Sequence, residues 1–121
     1  MHPLRTPLEI TESADGSLAV SGILPPLDSW ETGETAPRRA GCYALFRKHQ
    51  LVYIGESDNM QERLCSHQVS FDEARWLALD GAQRLLVEKV LIWFYMPEDN
   101  KEMKRHDYRM MIKKEVQHAS V

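Results

Sequence analysis

Apolar and polar positions alternate near the start of the chain, where Leu8-Glu9-Ile10-Thr11 and Leu18-Ala19-Val20 flank Ser13-Ala14-Asp15-Gly16. Asp-Gly is a favoured tight turn, so the pattern predicts a small hairpin. The alternation then stops. Residues 25 to 40 hold Pro25, Pro26 and Pro37 with Gly33 among threonines and serines. That composition argues for a loop over the surface and against a helix, with Trp30 available to pin it to the body.

The central run Gly41-Cys42-Tyr43-Ala44-Leu45-Phe46 is joined by Arg47-Lys48-His49-Gln50 to Leu51-Val52-Tyr53-Ile54-Gly55. Two aromatic and β-branched runs around a polar link predict a second hairpin. Next, Asp58 can cap a helix, answered by Gln61, with Met60, Leu64 and Val69 on its apolar side, which places a helix over residues 58 to 69. Phe71 to Leu79 fits helix or strand by periodicity, and Asp80-Gly81 ending the run favours a strand for its second half, with Asp80 capping the next helix. Residues 82 to 95 are apolar almost all round and predict a buried helix ending before Pro97. A final helix is expected over residues 101 to 116.

Composition narrows the class. The chain has 121 residues, 43% hydrophobic and 27% charged, and two cysteines, Cys42 and Cys65. That size suits one globular domain, and neither cysteine stands at zinc-site spacing. No apolar run reaches the roughly 20 residues of a membrane span, and Met1 to Arg5 lack a signal peptide's apolar core, so a cytoplasmic protein is expected. The net charge of −3 disfavours a polyanion partner only on average. Residues 1 to 36 set Arg5 against Glu9, Glu12, Asp15, Asp28, Glu31 and Glu34, whereas Lys101 to Lys114 is strongly basic. An acidic arm thus precedes a basic end, a polarity compatible with nucleic acid.

Glu88 is the anomaly. It lies on the predicted buried helix with Leu85, Leu91, Ile92 and Tyr95 as neighbours, and an unpaired buried carboxylate is costly. Arg84, another arginine or a metal ion could each satisfy it. Tyr43 and Tyr53 stand opposite each other if the loop around residues 46 to 50 has odd length. Arg63 and His67 share one face of the following helix. Singly, each of these has an ordinary structural reading; together they supply a hydroxyl, a phosphate-sized cation and a carboxylate that a metal ion could use, the parts of phosphodiester hydrolysis.

Gly41-Cys42-Tyr43 followed by Tyr53-Ile54-Gly55 resembles the signature of the GIY-YIG nuclease family. The resemblance continues through Arg63, His67, Glu88 with Leu91-Ile92, Pro97 and Asn100, and so spans residues 41 to 100. Cys42 stands where the family has isoleucine, at a position expected to point into the core, away from the tyrosines. The resemblance implies an α/β (α+β) domain whose small central sheet of three antiparallel strands is flanked by helices, here with an N-terminal hairpin extension. It divides the chain into an acidic extension (1–40), a nuclease-like core (41–100) and a C-terminal basic amphipathic helix (101–121) within the same domain.

The same resemblance implies a metal-dependent DNA endonuclease in which Glu88 binds one Mg²⁺ or Mn²⁺ ion. Tyr43 resembles the general base, or the group aligning the attacking water. Arg63 is similar to the arginine that neutralises charge on the phosphate, Tyr53 to a phosphate or water ligand, and His67 to a positioning group. Asn100 is implied to fix local backbone, and is also kept among the weaker candidates for nucleic-acid contact with Arg38, Arg39, Lys101, Arg105 and Arg109. Of these, Lys101, Arg105 and Arg109, with Lys113, form one helical stripe, while Tyr108, Met111, Ile112 and Val116 can face the core. No reader module accompanies the domain, so a homodimer or a partner protein is the expected source of specificity. The alternative is a non-catalytic nucleic-acid-binding module on the same scaffold, with the acidic arm as an autoinhibitory or partner-binding segment.

Overall fold

The computed structural model describes residues 9–12, 18–21, 26–79, 81–100 and 103–119. Strands β1 (Glu9–Glu12) and β2 (Leu18–Ser21) pair antiparallel as a separate two-stranded sheet, so the predicted N-terminal hairpin is present. Its Asp15-Gly16 turn lies outside the described residues. The central sheet has four antiparallel strands rather than three. Strand β3 (Glu31–Thr32) adds a two-residue edge to β4 (Gly41–Arg47), β5 (Gln50–Ser57) and β6 (Glu73–Ala78), in the order β3-β6-β4-β5. Periodicity could not announce two residues in a proline-flanked loop. Trp30, beside them, is buried in the core and pins the loop as expected.

The β4–β5 hairpin turns on Lys48 and His49, both in the left-handed region (φ 53° and 65°), with Arg47 paired to Gln50. Such a turn matches the twist of the strands, but its even length would put Tyr53 opposite Ala44, on the face away from Tyr43. A bulge reverses that parity. Phe46 pairs with Leu51 and Leu45 with Tyr53, leaving Val52 as the extra residue. Tyr53 therefore shares the face of Tyr43, set diagonally from it, since Gly55 is the residue opposite Tyr43. The Asp99 N–H donates to the Val52 carbonyl at 2.8 Å, so the bulged peptide keeps a partner.

The sheet separates two apolar clusters. Cys42, Ala44, Ile54 and Leu77 pack against helices α2 (Gly81–Tyr95) and α3 (Arg105–Ala119), through Val87, Val90, Leu91, Tyr108 and Ile112. On the other face Tyr43, Leu45, Val52 and Trp76 pack with Met60 of helix α1 (Met60–Cys65) and with Ala36.

Helix α1 is shorter than predicted, and Asn59 rather than Asp58 caps it, accepting from the Glu62 N–H. The ambiguous run resolves into strand over Glu73–Ala78; Asp80 lies outside the described residues. Helix α2 is not buried on all sides, because Phe94 and Tyr95 at its end are 65% and 44% exposed. Apolar residues on every side of a helix cannot all face one sheet and one neighbouring helix.

Candidate active site

Glycines shape the floor of the site. A side chain at Gly55 would collide with the Tyr43 ring, its Cβ meeting Cζ at 2.5 Å and the hydroxyl oxygen closer still. A side chain at Gly41 would strike the Leu77 carbonyl and the Met60 side chain. Each tripeptide thus ends or begins on glycine because a ring or a backbone passes directly over it. Carbonyls of the preceding loop then seat α1: Arg39 O accepts from the Met60 N–H at 2.9 Å and Pro37 O from the Gln61 N–H at 3.1 Å. That docking aims Arg63 at the tyrosines.

Tyr43 is 1% exposed. Its ring stacks beside Tyr53 with centroids 6.2 Å apart, and the His67 ring meets both edge-on at 5.5 and 4.8 Å. His67 Nε2 lies 2.9 Å from the Tyr43 hydroxyl, while His67 Nδ1 accepts the Val69 N–H at 3.1 Å. An Nδ1 that accepts leaves the ring proton on Nε2, so His67 donates to the Tyr43 oxygen. Burial and the Arg63 charge hold the His67 pKa below its ordinary value, which favours this neutral form.

Burial pushes the Tyr43 hydroxyl up to about 12, against the pull of Arg63, whose guanidinium bonds the same oxygen. Arg63 also bonds Tyr53, and both tyrosines hold its pKa up, yet its side chain is exposed and open to an incoming anion. Glu88, half-buried on α2, adds its negative charge to what raises Tyr43, so it lies within electrostatic reach of the cluster. Of the partners weighed for Glu88, Arg84 contacts Glu56, with Nε 2.7 Å from Oε2, and donates to Ser57 O at 3.4 Å. The Glu56–Arg84 contact lacks hydrogen-bond alignment and acts through charge alone.

Cys42 is fully buried on the opposite face, as expected, and its thiol donates to Arg84 O at 3.2 Å. Burial pushes that thiol far up, so it packs rather than reacts.

The weaker candidates divide. Asn100 is buried, accepting from Ile54 N–H at 2.8 Å and donating to Ile54 O at 2.9 Å. Both amide atoms complete the open edge of β5, so this residue does not face a nucleic acid. Arg105 donates to Trp93 O at 3.1 Å in the last turn of α2, and Arg38 to Gln61 at 2.5 Å. Arg39 is exposed, Arg109 is half-buried, and Lys101 lies outside the described residues. Tyr108 and Ile112 face the core as expected. Among the described residues no three His, Cys, Asp or Glu side chains converge as a metal cluster.

No family model and no curated protein matches the chain. Among solved structures, it is similar to the GIY-YIG N-terminal endonuclease domain of UvrC from Thermotoga maritima bound to magnesium. That likeness has 25% identity, covers 54% of this chain and 86% of the other, and has a TM-score of 0.48. Two point mutants of the same domain, each bound to its catalytic divalent cation, match with the same identity and coverage at TM-scores of 0.48 and 0.47. No helix among the described residues is long and apolar enough to cross a membrane.

Proposed function

We propose that the chain is a divalent-metal-dependent endonuclease that hydrolyses phosphodiester bonds in DNA. The observation that supports this most is the convergence on one oxygen: the Tyr43 hydroxyl takes the His67 Nε2–H at 2.9 Å and the Arg63 guanidinium, beside Tyr53. With two donors on that oxygen, the tyrosine's own proton is left to point at a bound water or phosphate oxygen. Arg63 is the exposed cation of the cluster, suited to the charge that grows on a phosphorane; one such donor contributes about 10² to 10³ in rate.

A pKa of about 12 leaves Tyr43 protonated at neutral pH, so water alignment suits it better than unaided proton abstraction. Abstraction at pH 7 needs about 7 kcal/mol of added phenolate stabilisation. His67 carries its proton on the nitrogen facing Tyr43 and serves as a positioning donor, not a base.

Glu88, half-buried on α2 and close enough for its charge to raise Tyr43, is the carboxylate assigned to the ion in this reading. One carboxylate plus waters and substrate phosphate suits a hard, hydrated Mg²⁺ or Mn²⁺ and does not suit zinc. Such an ion supplies Lewis-acid polarisation of the phosphate and a more acidic water. The test is cleavage of labelled single- and double-stranded DNA in Mg²⁺, Mn²⁺ and EDTA. Cutting that needs the ion supports the reading. Tight, salt-sensitive binding with no cutting in either ion replaces it with the non-catalytic binding module.

A further inference from the structure

We propose that the groove between the loop after β3, helix α1 and the lead-in to β6 docks a basic peptide segment of a partner protein. The groove encloses about 600 Å³, within the usual range of roughly 300–1,000 Å³ for binding clefts. None of Tyr43, Tyr53, Arg63, His67 or Glu88 lines it. Its walls mix Trp76, Phe71 and Leu64 with polar groups, and its charged lining is all carboxylate: Glu34, Asp72 and Glu73.

Some of that acidity is already engaged. Asp72 Oδ2 accepts the Lys48 N–H at 2.9 Å, and Glu73 Oε1 faces Arg75 Nε at 2.6 Å. Glu34 stands exposed at the rim. No lysine, arginine or histidine is part of the lining; Arg75 offsets Glu73 and Arg38 reaches the edge through Gln61, so the negative charge that repels a phosphate backbone and attracts a cation comes from Glu34 and Asp72. Aromatic faces beside carboxylates suit lysine or arginine flanked by apolar residues, and an extended peptide presents those two kinds of side chain alternately.

Helix geometry keeps the groove apart from the tyrosine cluster. Gln61, Leu64 and Cys65 form one stripe of α1 and line the groove, while Arg63 lies off that stripe and reaches Tyr43. A peptide can therefore dock without covering the tyrosines. This placement does not depend on the nuclease reading, and its test reads binding alone.

The probe is a capped hexapeptide alternating arginine and leucine, compared with its glutamate-leucine counterpart, by NMR titration of the full chain. The expected result is saturable, salt-weakened binding of the basic peptide, with shifts at the Trp76 indole and at residues 33 to 36. Glu34→Lys and Cys65→Lys, both at exposed positions, should each weaken it about fivefold. Equal binding of the acidic peptide, shifts elsewhere, indifference to both substitutions, or no binding up to millimolar peptide overturns the proposal. A groove occupied by a second copy, seen as concentration-dependent shifts at the same residues without peptide, overturns it too.

Discussion

Replacing Gly55 by alanine puts a methyl group where the Tyr43 ring already lies. The added Cβ meets Tyr43 Cζ at 2.5 Å and Cε2 at 2.9 Å, whereas carbon atoms pack at about 3.5–4.0 Å. The ring must retreat by about 1 Å. It has little room to do so, being 1% exposed, flanked by Tyr53 and tied to His67 at 2.9 Å. Overpacking of this kind costs about 1–3 kcal/mol, offset by the roughly 0.5–1 kcal/mol that alanine gains over glycine in a strand. In a Tyr43→Ala background the methyl enters vacated space, so the same substitution becomes neutral or stabilising. Urea unfolding of the four proteins should give a coupling of about 2 kcal/mol. If Gly55→Ala costs the same in both backgrounds within about 0.5 kcal/mol, the ring is not what demands the glycine.

The same geometry predicts further outcomes. Asn100→Ala leaves the Ile54 N–H and C=O without their partner, at about 1–3 kcal/mol for each buried group, and should speed Ile54 amide exchange; unchanged exchange contradicts the edge-completing role. Because the His67 pKa is lowered in the fold, the unfolded chain takes up the proton first. Stability is therefore undiminished above about 6.5 and falls as pH drops below it, and an NMR titration placing the folded His67 above 6.5 contradicts this dependence. Cys65 should react with a thiol reagent in the native state while Cys42 waits for unfolding; fast labelling of both breaks the burial argument. Arg63→Ala should lower turnover about 10² to 10³-fold with little change in DNA affinity, and a pure affinity loss makes it a docking residue.

The tyrosines, Arg63, His67 and the long strands were legible because glycine, aromatic and cation positions fall at short, ordered spacings. What brings Tyr53 onto the Tyr43 face was not legible. An odd loop was the simplest route, and the chain instead uses an even turn plus a bulge at Val52, which leaves no mark on alternation. The Asp99 N–H that serves the bulge and the Asn100 amide that closes the β5 edge are long-range contacts, and local pattern does not report them. Asn59 captured the α1 cap from Asp58 because both are good cap residues one position apart. Arg105 read as a phosphate contact from its stripe, and only the packing of α3 on α2 turns it toward the Trp93 carbonyl.

In the proposed function Glu88 and the Tyr43–His67–Arg63 cluster act together on a phosphodiester. The most direct measurement is single-turnover DNA cleavage in Mg²⁺ by wild type beside Glu88→Ala, with DNA affinity and thermal unfolding read on the same samples. Wild type should cleave, and the variant should lose cleavage with its binding and folding retained. Undiminished cleavage by a folded Glu88→Ala protein contradicts that joint action.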